Sequence, residues 1–224
     1  MNSELTLWGV GTSRTIRPHW ALHELGLAYG CKPILARSGE TKTPEYTVLN
    51  PRQKIPLLQD GAFTIGESAA IVAYLARKYG GASHLIPVDD AGHARWLEWC
   101  FFIVTELDAT SLYVMRRHST GKGLAHIYGE SPSVVAKAGE YFMVQLKHVE
   151  LALTDDRRYL LGDQFTTADI LLTTCLTWAL DYRLNLPDGL MQYLGRTTSR
   201  DGYRVAREAN RQQAFQIASQ ACMS

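Results

Sequence analysis

Three short segments carry side chains whose types and placement could do chemistry. The first is Gly11-Thr12-Ser13-Arg14, between an apolar run and a helical pattern. A hydroxyl there stands beside unpaired helix N–H groups and the positive end of the helix dipole, which favours an anion. Equally, Ser13 or Thr12 can serve only to cap the helix. The second segment is Gln53-Lys54-Ile55-Pro56. Proline has no amide hydrogen to give, so it belongs at a sheet edge or beside a bound peptide. A cis Ile55–Pro56 bond would leave the Ile55 N–H and C=O to pair with a ligand, whereas a trans proline opening a strand accounts for the same residues. The third is Gly66-Glu67-Ser68-Ala69 at a helix start. A serine hydroxyl with free N–H groups suits a carboxylate and Glu67 suits an ammonium, so together they match an amino-acid zwitterion. A capping Ser68 and a Glu67 matched to the dipole explain the pair equally well.

These segments need elements to hold them. Leu5 to Trp8 alternates and stops at Gly9-Val10-Gly11, the pattern of a strand and turn. Thr15 to Ala28 has helical spacing, with one stripe of Ile16, Trp20, His23 and Leu27 and a second flank of Leu22 and Leu25. Two flanks predict a helix covered on more than one side. Cys31 to Ala36 is a second strand, and residues 37–52 are a loop with room for a helical turn. Ile55 to Gln59, the Asp60-Gly61 turn and Ala62 to Ile65 form a hairpin. A helix over 67–79 ends at Gly80-Gly81. The order is β-α-β, then β-β-α.

Residues 81–90 read as a linker, and helices follow at 91–117, 132–153 and 167–182, with one or two more over 190–220. Thr166-Thr167-Ala168-Asp169 is a capping box, with Phe165 and Ile170 placed as a hydrophobic staple. Such a cap is worth roughly 1 kcal/mol. The expected domains are 1–80, of mixed structure, and 91–224, all helical.

With 224 residues, 46% hydrophobic and 20% charged, the chain has the composition of a globular protein. Twenty-three basic against 22 acidic residues leave a net charge of +1. That balance supplies no electrostatic reason for a nucleic-acid or anionic-membrane partner. Met1 to Glu4 lacks a basic start, so no signal peptide is expected. The apolar stretches 99–104 and 170–180 fall short of the ~20 residues of a spanning helix. Cys31, Cys100, Cys175 and Cys222 form no CxxC pair, which fits a reduced, cytoplasmic protein.

None of the three segments is specific alone, but their order and context are. The stretches LTLWGVGTSRTIRPHWALHELGL (5–27), NPRQKIPLLQDGAFTIGESAAIVAYLARKYG (50–80) and FTTADILL (165–172) resemble the cytosolic glutathione S-transferase family, in its bacterial-type, serine-type form. The resemblance runs over the whole chain. It implies an α+β/α architecture: a thioredoxin-like βαβ-ββα domain, then an all-helical domain contributing an electrophile pocket. It further implies that Ser13 donates its hydroxyl to the glutathione sulfur and favours thiolate. Thr12 offers a second hydroxyl; the four-residue spacing to Arg17 favours Ser13. Ile55, before a Pro56 that is cis in the family, would pair its backbone with the cysteinyl unit. Glu67 and Ser68 would hold the γ-glutamyl end, and Gln53 with Lys54 would face the glycyl carboxylate. Tyr113, Met115, Arg116 and Arg117 lie where the family draws its electrophile pocket.

The implied activity is conjugation of glutathione, as co-substrate, to small hydrophobic electrophiles, by a homodimer and without a metal. Disulfide reduction, peroxidase, dehalogenase or isomerase chemistry on the same fold, or binding without catalysis, are the alternatives. Where tyrosine-type members carry their tyrosine, this chain has Trp8, and the 9–14 turn holds no cysteine for mixed-disulfide chemistry. Arg14 stands where many relatives have proline.

Other features have plainer readings. His19 and His23 stand at i, i+4, a spacing that can ligate metal, but no third ligand is evident, and His23 on the apolar stripe reads as packed. Arg196, Arg200, Arg204, Arg207 and Arg211 recur every three or four residues and read as a solvated face. Trp96, Trp99, Phe102 and Ile103 read as core.

Overall fold

A four-stranded sheet organises the first part of the chain. In order come β1 (Leu5–Val10), α1 (Ile16–Glu24), β2 (Gly30–Leu35), a 3-10 turn (Glu40–Lys42), α2 (Pro44–Leu49), β3 (Leu57–Asp60), β4 (Phe63–Gly66) and α3 (Ser68–Tyr79). The computed structural model describes residues 5–81, 85–154 and 157–221. Met1 to Glu4, residues 82–84 of the expected linker, and Cys222 lie outside the described residues. The strand order is β2-β1-β3-β4, with β1 parallel to β2 and antiparallel to β3, and β3 antiparallel to β4. Alternation along β1 buries Leu5 and Leu7, and Leu7 lies opposite the equally buried Leu58. β3 begins at Leu57 rather than at Ile55, because Pro56 has no N–H for the ladder. α2 supplies the expected helical turn, capped by the Thr43 hydroxyl accepting from the Tyr46 N–H.

α1 is shorter than the pattern predicts. Its end is closed by the Leu27 N–H bonding back to the Leu22 C=O at 3.0 Å. Seven consecutive residues, Ile16 to Leu22, are buried. The two covered flanks are real: α1 packs against α3 and against α10 (Asp201–Ala221). Arg200 makes a two-pronged pair with Glu24, at 2.9 and 2.6 Å, and Glu24 also accepts from the Trp20 Nε1–H at 2.8 Å. The Tyr203 ring meets Trp20 edge-on at 4.8 Å.

Contacts divide the chain into two compact units, Met1–His84 with Thr198–Ser224, and Leu85–Thr197. The last helix, expected among the helical residues 91–224, thus packs with the sheet. That also revises the arginine face. Arg200 is an ion-pair partner, and Arg196 gives its Nε–H to the Arg158 C=O at 2.8 Å. Arg204 pairs with Asp201, and Arg207 and Arg211 are exposed.

The second unit contains α4 (Asp90–Phe102), a π-helical segment (Ile103–Leu112) and α5 (Tyr113–His118), which together make the long helix predicted over 91–117. Within the wide segment the Ser111 hydroxyl donates five residues back, to the Glu106 C=O at 2.5 Å. Then come α6 (Ala125–Tyr128), α7 (Pro132–Ala152), α8 (Thr167–Asp181) and α9 (Asp188–Thr198). Twelve of the fifteen residues of α8 are buried, so its first-turn donors cannot turn to water. Backbone carbonyls take two of them, the Thr167 N–H going to the Leu85 C=O at 2.8 Å and the Asp169 N–H to the Thr166 C=O at 3.1 Å, while the carboxylate of the box serves the residues around the helix start. Asp169 accepts from the Thr166 N–H (2.8 Å) and hydroxyl (3.0 Å), from the Leu160 N–H (2.9 Å) and from the Tyr193 hydroxyl (2.6 Å). Burial pushes the Asp169 carboxyl up and these four donors oppose it.

Trp96, bonded through Nε1 to the Thr167 hydroxyl at 2.9 Å, and Ile103 are core residues. Trp99 and Phe102 sit at its margin, half-buried, ring on ring at 5.6 Å. No helix among the described residues is long and apolar enough to cross a membrane.

Candidate functional site

The first unit brings the three candidate segments together. Gly9, with φ +106°, ends the regular part of β1 against Ile55: a Cβ on Gly9 would stand 2.6 Å from the Ile55 Cβ. Only glycine tolerates both that dihedral and that approach. Arg17 of α1, three residues past the first segment, donates its Nη1–H to the Ser68 hydroxyl of the third at 3.1 Å, with both residues buried. Arg52, immediately before the second segment, has its Nη1 3.2 Å from a Glu67 carboxylate oxygen of the third.

In the β1–α1 turn the two hydroxyls divide their tasks. Thr12 Oγ1 accepts from the Thr15 N–H at 3.0 Å and the Arg14 N–H at 3.3 Å, and lies 3.1 Å from Thr15 Oγ1. In return, Thr15 Oγ1 accepts the Thr12 N–H at 2.9 Å. Thr12 is therefore spent on building the turn. Ser13 is half-buried, and its hydroxyl has no hydrogen-bond partner among the described residues. Among the described residues Ser13 thus keeps an uncommitted hydroxyl, whereas that of Thr12 is placed against Thr15. From α10, Asn210 reaches the same turn, its Oδ1 accepting the Gly11 N–H at 2.9 Å.

The second segment is a tight structure held from α2. The Ile55–Pro56 peptide is cis. The Lys54 C=O accepts from the Tyr46 hydroxyl at 2.6 Å and from Asn50 Nδ2 at 2.8 Å. Burial pushes the Tyr46 phenol up to about 12, so it remains a donor at neutral pH. Gln53 has φ +53°, gives one side-chain N–H to the Thr47 hydroxyl at 3.0 Å and keeps the other. Among the described residues the Ile55 N–H has no backbone partner. Lys54 is exposed, Ile55 half-buried and Pro56 buried.

In the third segment Glu67 has φ +66°, a conformation costly for a residue with a Cβ, and is exposed immediately before α3. Such strain concentrates where a side chain has to be aimed. Its pair with Arg52 is exposed on both sides, so it contributes at most about 1 kcal/mol and exchanges readily for another cation. Beneath it, the buried Arg17 sets a positive charge under the first turn of α3, where the helix N-terminus already favours an anion. An exposed carboxylate thus stands immediately before a helix start whose first serine is bonded to a buried arginine.

The expected electrophile-side residues lie in the second unit. Met115 is 3% exposed and packs beside Gly139 of α7, a core position. Tyr113, Arg116 and Arg117 are half-buried, and the Arg117 guanidinium stacks 4.2 Å from the centre of the Tyr128 ring. His19, rather than His23, is the fully buried histidine of α1. Its Nδ1 lies 2.7 Å from the Tyr29 hydroxyl, which also approaches His23 Nε2 at 3.4 Å. Burial pulls the His19 imidazole down to about 4. No group of three or more potential metal ligands occurs among the described residues.

Thr15, Tyr46, Asn50 and Asn210 were not singled out from sequence. The Thr12/Thr15 spacing and the nearness of Tyr46 and Asn50 to Lys54 were available as local signals. Asn210 lies 199 residues from Gly11, and nothing local marks it.

Comparison with known proteins bears on the family and the fold. The family model "Glutathione S-transferase, N-terminal domain" matches residues 3–77, and "Glutathione S-transferase, C-terminal domain" matches residues 102–200. The chain is 31% identical to Glutathione S-transferase theta-1 of Bos taurus over 150 residues, 66% of this chain and 61% of that one. It is 32% identical to Glutathione S-transferase 1 of Triticum aestivum over 162 residues, 66% of this chain and 67% of that one. It spans about three fifths of the length of several curated relatives that it matches. Among solved structures, a theta class glutathione S-transferase from Xanthomonas axonopodis pv. citri with glutathione bound superposes with a TM-score of 0.77 at 26% identity. That match covers 91% of this chain and 97% of the other.

Proposed function

This chain belongs to the glutathione S-transferase family, and from that premise we propose that it joins the glutathione thiolate to small hydrophobic electrophiles. The observation that carries the proposal is the uncommitted Ser13 hydroxyl in a turn whose other hydroxyls are all engaged. In this reading Ser13 Oγ–H donates to the sulfur. The Ile55 N–H and C=O pair with the cysteinyl backbone. Glu67 takes the γ-glutamyl ammonium, and Ser68 with the start of α3 takes its carboxylate. Gln53, through its remaining N–H, and Lys54 face the glycyl carboxylate. Thr12 shapes the turn and does not touch the sulfur.

The energetics close. A thiol of pKa about 8.5 is only a few per cent ionised at neutral pH. Lowering it by about two units requires roughly 2.7 kcal/mol of preference for the thiolate. A hydrogen bond to a charged sulfur supplies about 1.5–3 kcal/mol, and the N-terminus of α1 about 0.3–1. No general base is needed. The thiolate then attacks an electrophilic carbon, the C–S bond forms, and the displaced group leaves with the electrons of its own bond.

The test is a pH titration of thiolate absorbance for glutathione bound to the wild type and to Ser13→Ala. The wild type should show an apparent pKa about two units below that of free glutathione, and Ser13→Ala should lose most of that shift, about 1–2 units, while still binding the tripeptide. An unshifted thiol in the wild type, or an unchanged one in Ser13→Ala, overturns the assignment. Comparing an aryl halide with a glutathione mixed disulfide as co-substrate separates transfer from reduction.

A further inference from the structure

The turn that presents Ser13 is held by a residue from the other end of the chain. Asn210 Oδ1 lies 2.9 Å from the Gly11 N and 2.9 Å from Thr15 Oγ1, and its Nδ2 lies 3.5 Å from the Thr12 C=O. One carboxamide therefore touches the turn on both sides of Ser13. Among the described residues nothing else fixes the Ser13 hydroxyl, so its direction is inherited from the backbone at residues 11, 12 and 15.

Proton counting shows why the carboxamide matters. Thr12 Oγ1 already accepts two N–H groups, and its one hydrogen can go to Thr15 Oγ1. Thr15 in turn has a single hydrogen, with the Thr12 C=O and Asn210 Oδ1 both 2.9 Å away. The Gly11 N–H has no such choice, because Asn210 is its acceptor. Losing the carboxamide leaves that N–H without a protein partner and the Thr15 hydrogen to the turn alone.

Asn210 is also where one helix pairing ends. Arg200 meets Glu24, Tyr203 meets Trp20, Ala206 is buried, and Asn210 meets Thr15. Arg200 immediately precedes α10, the other three fall on one face of it at helical spacing, and their partners step along α1 from its last residue to its N-terminus. A two-pronged ion pair anchors one end of the splint, and the carboxamide fastens the other to the turn.

The structure assigns to Asn210 the role of a positioning residue, holding the Gly11–Thr15 turn so that the Ser13 hydroxyl faces the reacting sulfur. The inference rests on the Ser13 reading above. It makes the docking of α10 a condition for thiolate formation, whereas the groups assigned to bind the tripeptide lie on other segments.

The experiment is a double-mutant cycle on the full chain, read as the apparent pKa of bound glutathione. Asn210→Ala should raise that pKa by about one unit and lower the rate at neutral pH about tenfold. The Kd for S-methylglutathione, which has no thiol to ionise, should change by less than about twofold, because its contacts lie elsewhere. In a Ser13→Ala background Asn210→Ala should add no further pKa shift, the mark of action through Ser13. Arg207→Ala, exposed on the same helix, should match the wild type. If Asn210→Ala does not fold, Thr15→Val breaks the same chain of hydroxyls and carries the same expectation. A shift in Ser13→Ala but none in Asn210→Ala overturns the positioning role and leaves the Ser13 reading standing. An equal Asn210→Ala shift in both backgrounds also overturns it. An unchanged pKa in Ser13→Ala alone overturns both.

Discussion

Gly9→Ala tests whether the fold holds Ile55 where a ligand's backbone could pair with it. Two costs add. The dihedral φ +106° lies in the left-handed half of the map, where an L-residue costs about 1–2 kcal/mol. The new methyl would also stand 2.6 Å from the Ile55 Cβ and 3.0 Å from its Cγ2 and Cδ1. The Cβ sits directly on the backbone, so no rotamer change removes the clash; either Ile55 moves or the end of β1 does. Overpacking of this kind costs about 1–3 kcal/mol, for a total of about 2–5. Gly61→Ala in the β3–β4 turn is the control. Its φ is +61° and nothing lies within 4 Å of the added methyl, so only the first cost applies. Urea unfolding of the two variants reads the clash, together with the wider dihedral of Gly9, as their difference, at least about 1–3 kcal/mol. Calorimetric titration with glutathione reads the consequence: a shifted Ile55 peptide should weaken binding about tenfold in Gly9→Ala, which is about 1.4 kcal/mol, and not in Gly61→Ala. Equal stabilities with unchanged glutathione binding in Gly9→Ala would refute the view that Gly9 seats the Ile55 peptide.

Two further predictions concern stability. Unfolded His19 takes up a proton below about pH 6.5, whereas the folded residue, buried beside Tyr29, holds out to about 4. Its folded pKa is depressed, so this contribution is fully present above pH 6.5 and is lost as pH falls toward 4. The loss amounts to about 3 kcal/mol. Urea midpoints of wild type and His19→Gln across that window should converge on the acid side, and parallel curves would sink the idea. Asp169→Ala removes the acceptor for the Leu160 and Thr166 N–H groups and the Tyr193 hydroxyl, all buried. With at least about 1 kcal/mol per orphaned donor it should cost about 3 kcal/mol or more, measured by denaturant unfolding; a loss under 1 would show that water reaches the cap.

Much of the architecture was legible in local pattern. The alternation of Leu5 to Trp8, the Asp60-Gly61 turn and the Thr166–Asp169 box each depend on neighbours within a few residues, and each element forms close to its predicted place. Boundaries moved where a backbone group had to be satisfied, as at Pro56, which delays β3, and at Leu27, which closes α1 early. The three site segments were visible as residue types in order, but each had a plain capping alternative. What joins them is the Arg17–Ser68 bond, the Arg52–Glu67 pair and the Gly9–Ile55 approach, and those span 15 to 51 residues.

By itself the sequence determined the succession of elements, the family and the chemical types available at the site, because propensity, capping and alternation act over a turn or a strand pair. The folded structure decided which of two adjacent hydroxyls stays uncommitted among the described residues. Thr12 and Ser13 are adjacent and chemically alike, and only the three-dimensional turn commits the first to Thr15. It also decided that Arg200 is an ion-pair partner rather than a solvated charge, and that α10 returns to the β1–α1 turn through Asn210. The last two choices are made by hydrogen-bond capacity and burial between residues 176 and 199 apart in the chain, and no local pattern encodes them.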